Sequence, residues 1–301
     1  MRLPSDPTFE VPYGCGLGVC ESGALYVDVN YLADPNKQDP RYREEKRPAM
    51  GLAVWDREMD ESEDVFQGEA VYKDFVYDRH APRRFRKEPI PIIRGSQWFG
   101  GWDTCAGTNQ PAFALAQLAP YQMIQWVLEI VPTGPCHLEV FAPAVLQALQ
   151  KLLPGYWSDV QHIGDPAGAT GSGIDGKSAF DVIRKHGMHI VACRTQVPAI
   201  RQGAVTWSLG DWINQESSNQ RDWVPRVIYS EDGCPTLVEA MKGAYCFTTA
   251  KGAPTSGPGI VVHKPVKNFY SHIAEAHEYA MVEIFARCFA NAQKEATTYA
   301  R

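Results

Sequence analysis

The sequence predicts a mixed α/β domain: an antiparallel trio of strands extended by parallel strands, with helices on both faces of the sheet. Three observations lead there. Apolar segments at 97–104, 113–119 and 123–131 follow one another closely, separated by Gly107, Thr108, Asn109 and Pro111 and then by Pro120, which are turn residues. From 137 to 193 the pattern alternates helix, strand, helix, strand, which is how parallel strands are connected. The 301 residues are 45% hydrophobic and 21% charged, enough apolar material to bury a core and too little charge for general disorder.

Each element has its own reason. Residues 1–65 are set apart, with early glycines at 14, 16 and 18, one expected strand over 24–29, and the acidic run Asp56, Glu58, Asp60, Glu61, Glu63 and Asp64. A run of that kind reads as a solvated linker or exposed face, so a domain boundary is expected near 65. Residues 137–153 carry Leu138, Phe141, Val145, Leu149 and Leu152 at helical spacing and stop at Pro154-Gly155. A strand over 160–164 leads into Asp165-Pro166-Ala167-Gly168 and a glycine-rich loop. A helix over 178–186 and a strand over 189–193 follow. Beyond them a helix around 201–213, a strand at 227–229, a helix at 235–242 and a long helix from 272 to about 293 complete the chain. No repeat of 20 to 50 residues is present.

Net charge is −6, which argues against a surface that embraces nucleic acid as a whole, but not against a local basic groove. Such a segment exists: Arg79, Arg83, Arg84, Arg86, Lys87 and Arg94 face one acid, Glu88, between 79 and 94. The eight cysteines form no C-x-x-C pair and read as reduced, mostly buried thiols of a cytoplasmic protein. No apolar run approaches the length of a membrane span, and the N-terminus reads as free of a secretory signal.

Two readings of a site compete. Gly171-Ser-Gly-Ile-Asp-Gly176-Lys177-Ser178 fits the phosphate-loop pattern letter for letter. Against it, six residues separate Gly164 from Gly171, Asp175 would place a carboxylate in an anion cradle, and no later strand ends in an Asp-Glu pair. The simpler reading is a glycine loop opening a helix, with Ser178 as N-cap. The second reading starts from acids. Asp103 and Asp165 each end a strand, where an aspartate is ordinarily a turn former. Glu275 is placed in the first turn of the last helix, with Ser271 as N-cap and His272 three residues earlier on the same face. A glutamate there is otherwise just a favourable charge near a helix N-terminus. Three converging carboxylates bind hard divalent cations, and a Mg²⁺ or Mn²⁺ pair can activate water and stabilise an in-line phosphodiester displacement. No protein nucleophile is then required.

Five segments between 66 and 285, namely Glu69–His80, Gly101–Cys105, Asp165–Gly168, Cys234–Tyr245 and Lys267–Ala276, together resemble the C-terminal nuclease domain of bacteriophage large terminase subunits, which package viral DNA. Glu69-Ala-Val-Tyr72-Lys-Asp-Phe75 followed by His80 resembles the opening segment of that family. Gly101-Trp-Asp103-Thr-Cys105 resembles its first catalytic strand, where a glycine often stands in place of Cys105. Asp165-Pro-Ala-Gly168 resembles its second acid motif. Cys234-Pro-Thr-Leu-Val through Lys242-Gly-Ala-Tyr245 resembles a later helix-and-strand piece. Lys267-Asn268-Phe-Tyr-Ser271-His272-Ile-Ala-Glu275-Ala276 resembles the final K-N-x-x-S-H-x-x-D-A motif.

The resemblance implies a ribonuclease-H-like fold and metal-dependent endonuclease activity on double-stranded DNA in the cytoplasm of the host. By motif position, Asp103, Asp165 and Glu275 would hold the metal, two Mg²⁺ or Mn²⁺ ions, with His272 supporting them. Glu275 replaces the usual aspartate, and its extra methylene displaces the carboxylate by about 1.5 Å. Arg79, Arg83, Arg84, Arg86 and Lys87 would contact DNA. Expected partners are a packaging ATPase domain or chain, the small terminase subunit and the portal. Sixty-five residues cannot hold the family's ATPase, so the chain reads as a nuclease part alone or one product of a split gene. A non-catalytic DNA- or portal-docking module, a nucleotide-binding protein using 171–178, and a Holliday-junction resolvase or transposase are the alternatives.

Overall fold

The computed structural model describes residues 15–19, 25–29, 35, 39, 41, 42, 44, 46, 68–105, 110–171, 176–217, 220–248 and 265–299. Two compact units divide the chain, Met1–Gln67 and Gly68–Arg301. In the first, β1 (Cys15–Val19) and β2 (Leu25–Val29) pair antiparallel, with Cys15 opposite Val29. The strand expected over 24–29 is there. Its partner lies in the glycine-bearing stretch, whose glycines at 16 and 18 hid the alternation from a pattern reading. The acidic run 56–64 lies outside the described residues.

The second unit is built on a six-stranded mixed sheet. Its strands are β4 (Gln97–Asp103), β5 (Ala112–Ala119), β6 (Met123–Ile130), β7 (Val160–Gly164), β8 (Ile190–Ala192) and β11 (Val227–Tyr229), in the order β11-β6-β5-β4-β7-β8. β5 runs antiparallel to β4 and β6, while β7, β8 and β11 join in parallel. The antiparallel trio plus parallel strands is therefore present, in the order and directions of a ribonuclease-H-like sheet. Tyr121 and Gln122, both at φ 59°, turn β5 into β6.

Helices cover both faces. β4 alternates with the strand period of two, and this sorts its side chains. Trp98 and Trp102 join Phe113 and Leu115 under Phe141, Val145 and Leu149 of α2 (Leu138–Leu152) and Phe180 and Ile183 of α3 (Ala179–Arg184). Phe99 joins Ala112, Ala114 and Ala116 on the other face. There they meet Val205 and Leu209 of α4 (Pro198–Gly210) and Ile273, Ala276, Ala280 and Ile284 of α6 (Phe269–Tyr299). Alanines on the sheet and on α6 let backbones approach closely. At Gly101 a Cβ would lie 1.9 Å from the Ala276 carbonyl oxygen, so only glycine fits between strand and helix.

Several expectations are corrected. The helix placed at 201–213 begins at Pro198, at its first position, and ends at Gly210. An unforeseen hairpin follows, β9 (Trp212–Ser217) with β10 (Gln220–Pro225). α5 (Pro235–Glu239) continues as a wide turn to Ala244, with Gly243 at φ 126°. Two short strands, β3 (Gly68–Ala70) and β12 (Cys246–Thr248), pair antiparallel. A one-turn helix, α1 (Tyr77–His80), was also not foreseen. At three or four residues β3, β12 and α1 carry too little period for a pattern to reveal, whereas β8 and β11, equally short, are unbroken apolar runs.

Candidate active site

Parity along β4 puts Asp103 on the same face as Phe99 and Gly101, toward α6. In the parallel pair of β4 and β7, Trp102 is opposite Gly164, and the Asp165 N–H donates to the Trp102 carbonyl at 3.3 Å. Asp103 closes one strand and Asp165 follows its neighbour directly, so the two acids leave the sheet at the same edge.

Asp165 caps a short 3-10 turn, Pro166–Ala169. Its Oδ1 accepts from the Ala167 N–H at 3.0 Å and from Gln196 Nε2 at 3.2 Å. Gly168 is needed there because a Cβ would lie 2.6 Å from Thr104 Oγ1 and 2.9 Å from the Phe180 ring. The turn thus packs directly on the residue following Asp103. Asp103 is itself buried. Its Oδ1 accepts from the Cys105 N–H at 3.1 Å, and its Oδ2 lies 3.0 Å from His272 Nδ1.

α6 brings the rest. Asn268, not Ser271, caps it: Asn268 Oδ1 accepts from the Ser271 N–H at 2.9 Å and Ser271 Oγ accepts from the Asn268 N–H at 3.0 Å. The reciprocal pair starts the helix at Phe269, so Glu275 stands in the second turn rather than the first. Both Glu275 oxygens are engaged by the Lys267 ammonium. Lys267 opens the same motif that Glu275 nearly closes, and this spacing was the available signal for a residue that sequence reasoning left out of the site.

The three acids share one electrostatic field. The buried phenol of Tyr279, one turn beyond Glu275, is pushed far above its ordinary range first by burial. The Arg201 guanidinium opposes that shift, and Asp165, Glu275 and Asp103 each add to it. Ligand atoms are grouped more narrowly. Among the described residues, the set of three His, Cys, Asp or Glu side chains with ligand atoms all within 4.8 Å of one another is Asp103, Cys105 and His272. Asp165 and Glu275 stand outside that set. Cys105 Sγ lies 2.8 Å from His272 Nδ1, the same nitrogen that meets Asp103. A Cys-His-Asp nucleophile triad needs the thiol and the carboxylate on opposite ring nitrogens, so this geometry is not one.

Beneath α6 lies a buried polar cluster. Arg201 Nε is 3.2 Å from Glu278 Oε2, Tyr72 donates to Glu278 Oε1 at 2.6 Å, and the guanidinium stands 4.5 Å from the Tyr279 ring centre. Burial pushes the Glu278 carboxyl up to about 7 although Arg201 and the Tyr72 hydroxyl pull it down. Arg201, Glu278 and Tyr279 were not foreseen, because a single buried polar residue in an apolar helix carries no pattern.

The basic segment is divided. Arg79 stacks 4.6 Å over Trp212, next to Asp211, which pairs with Arg226 just before β11, at the edge of the sheet opposite the acids. Arg86 is occupied by Asp78 at 2.5 Å, the Ala81 carbonyl at 2.9 Å and the face of Tyr77 at 3.9 Å. Arg83, Arg84 and Lys87 are exposed. A cleft of about 470 Å³ lined by Arg94, Trp98, Leu153 and Tyr156 opens at the start of β4, away from Asp103.

Of the phosphate-loop match, 172–175 lie outside the described residues. Ser178 caps α3, accepting from the Asp181 N–H at 3.1 Å while Asp181 accepts from the Ser178 N–H at 2.9 Å. No helix among the described residues is long and apolar enough to cross a membrane.

Neither family models nor curated protein sequences give a match. Solved structures do. The chain is similar to the large terminase nuclease domain of bacteriophage SPP1, solved with bound Mn, at 14% identity over 51% of this chain and 92% of that one, with a TM-score of 0.29. It is also similar to the large terminase nuclease of the thermophilic phage G20c, at 10% identity over 58% of this chain and 97% of that one, with a TM-score of 0.31. The fold assignment above rests on strand order and direction in this chain.

Proposed function

We propose that residues 68–301 form a metal-dependent endonuclease that cuts double-stranded viral DNA during genome packaging. One observation carries the reading: Asp103 and Asp165 leave adjacent parallel strands at one sheet edge, and α6 sets His272 against Asp103. The order of the five terminase-like motifs supports it independently.

Carboxylates are the donors that a hard divalent cation takes. Asp103, Asp165 and Glu275 would hold Mg²⁺ or Mn²⁺ once the Lys267 ammonium gives up Glu275 and the two outer carboxylates close in on Asp103. When bound, a pair of such ions supplies an activated water and charge stabilisation for both oxygens of the displacement. The protein's own part is to fix the carboxylates. The Cys105 N–H and His272 orient Asp103, while the Ala167 N–H and Gln196 orient Asp165. Arg83, Arg84 and Lys87 are the exposed candidates for phosphate contact. DNA is the substrate in this reading. A packaging ATPase, the small terminase subunit and the portal are its partners, by motif resemblance.

The test is plasmid nicking and linearisation with Mg²⁺ or Mn²⁺, comparing wild type with Asp103→Ala and Asp165→Ala. Metal-dependent cutting by wild type, abolished in both variants, is expected. Equal cutting by all three proteins overturns the proposal. Salt-sensitive DNA binding with no cutting at all would instead favour the docking-module reading.

A further inference from the structure

The donor set around His272 Nδ1 differs in kind from the three carboxylates. A thiol sulfur and a carboxylate oxygen flank one imidazole nitrogen at 2.8 and 3.0 Å, and the backbone N–H of Cys105 ties back to the same carboxylate. Asp103 and His272 are buried and Cys105 is half-buried. The sulfur is held there by an unusual backbone: Cys105 has φ 40°, the left-handed region that a non-glycine residue enters at a cost of about 1–2 kcal/mol.

We propose that Asp103, Cys105 and His272 form a site for a borderline-soft divalent cation, Zn²⁺ foremost, and that this site competes for Asp103 with the hard cation of the nuclease. Thiolate and imidazole favour Zn²⁺, whereas carboxylates alone favour Mg²⁺ or Mn²⁺. Three protein ligands with water in the fourth position is a normal Zn²⁺ arrangement. Binding needs no redox partner: the thiol proton passes to solvent, the neutral imidazole keeps its one ring proton on Nε2 and offers the Nδ1 lone pair, and metal–sulfur, metal–nitrogen and metal–oxygen bonds form. The ligand atoms already lie within 4.8 Å of one another, so only small side-chain shifts are required. The competition part rests on the nuclease reading; the binding part does not.

The experiment is a Co²⁺ titration of the full chain without DNA, followed by absorption spectroscopy. The expected result is a sulfur-to-cobalt charge-transfer band with the visible bands of four-coordinate Co²⁺, erased by one equivalent of Zn²⁺. Cys105→Ser should abolish the charge-transfer band and weaken Zn²⁺ binding by at least about tenfold. Cys105→Gly, which suits the left-handed backbone, guards against a folding artefact and should behave alike, with circular dichroism unchanged. A six-coordinate spectrum without the sulfur band, or a band that survives both variants, overturns the proposal. A nicking assay then separates the two readings. Zn²⁺ should inhibit Mn²⁺-dependent nicking by wild type at concentrations at least about tenfold lower than for Cys105→Gly. The sulfur band without nicking by any variant would sink the nuclease alone, and nicking with no sulfur band would sink the Zn²⁺ site alone.

Discussion

His272 Nδ1 lies 3.0 Å from Asp103 Oδ2, joining the fourth residue of α6 to the last residue of β4. Partners that orient a metal-binding carboxylate typically contribute about 10–100-fold in metal affinity or activity. His272→Ala should therefore raise the Mn²⁺ concentration for half-maximal nicking by about that factor, with His272→Gln recovering part of it. An unchanged metal dependence in His272→Ala would remove the residue from the site.

Gly101 sets how close α6 comes. Its missing Cβ leaves room for the Ala276 carbonyl, and Ala276 directly follows Glu275. Gly101→Ala should cost about 1–3 kcal/mol, as overpacking does, and should lower nicking by shifting His272 and Glu275 together. Gly134→Ala, with nothing within 4 Å of the added methyl, is the control and should stay within about 0.5 kcal/mol. Denaturant unfolding checks both; equal stabilities would mean that α6 moves away without cost.

These two cases show what was legible in the sequence. The long strands and helices could be read because each carries several turns or alternations of apolar period. Asp103 and Asp165 could be read because a strand end is visible as a change of pattern. The pairing of His272 with Asp103 spans 169 positions and leaves no local mark. The cap at Asn268 was misread because Ser271 is an equally good capping residue, and only the reciprocal hydrogen bonds decide between them. Arg201 and Glu278 were missed because their partners are set by packing, not by spacing, whereas Lys267 stands only eight positions before its partner Glu275.

Buried ionisable groups set opposing pH dependences. Burial pushes His80 down to about 4 and His162 and His277 down to about 3. Each is neutral when folded and takes up a proton more readily when unfolded. Their stabilisation is thus full above the ordinary histidine value and is lost as pH falls toward those values. Glu278, raised to about 7, has the opposite sign: its contribution is full below the ordinary carboxylate range and is lost as pH rises toward 7. Burial also raises the Glu129 carboxyl, with the same sign as Glu278, so three protons against two leave a smaller net gain in stability from about pH 4.5 to 6.5. Glu278→Gln should remove its share of the opposing contribution, leaving that of Glu129, and steepen that rise. Urea midpoints measured across this range test it, and a shallower rise in the variant would contradict the assignment.

The division of the basic segment predicts two different phenotypes. Arg83 and Lys87 are exposed and have no ion-pair partner among the described residues, so a DNA backbone is free to use them. Removing both should leave thermal stability unchanged. It should also reduce the dependence of log binding constant on log salt by about 0.9 for each phosphate that the variant no longer neutralises. Arg86 is already occupied by Asp78, Ala81 and Tyr77, and its side chain is only 16% exposed. Arg86→Ala should destabilise the fold by about 1–2 kcal/mol and leave the salt slope alone. Anisotropy titrations of a labelled duplex at several salt concentrations, run beside thermal melts, distinguish the two. If Arg83→Ala with Lys87→Ala leaves the slope intact, DNA does not cross this face, and the phosphate contacts of the nuclease must come from other residues.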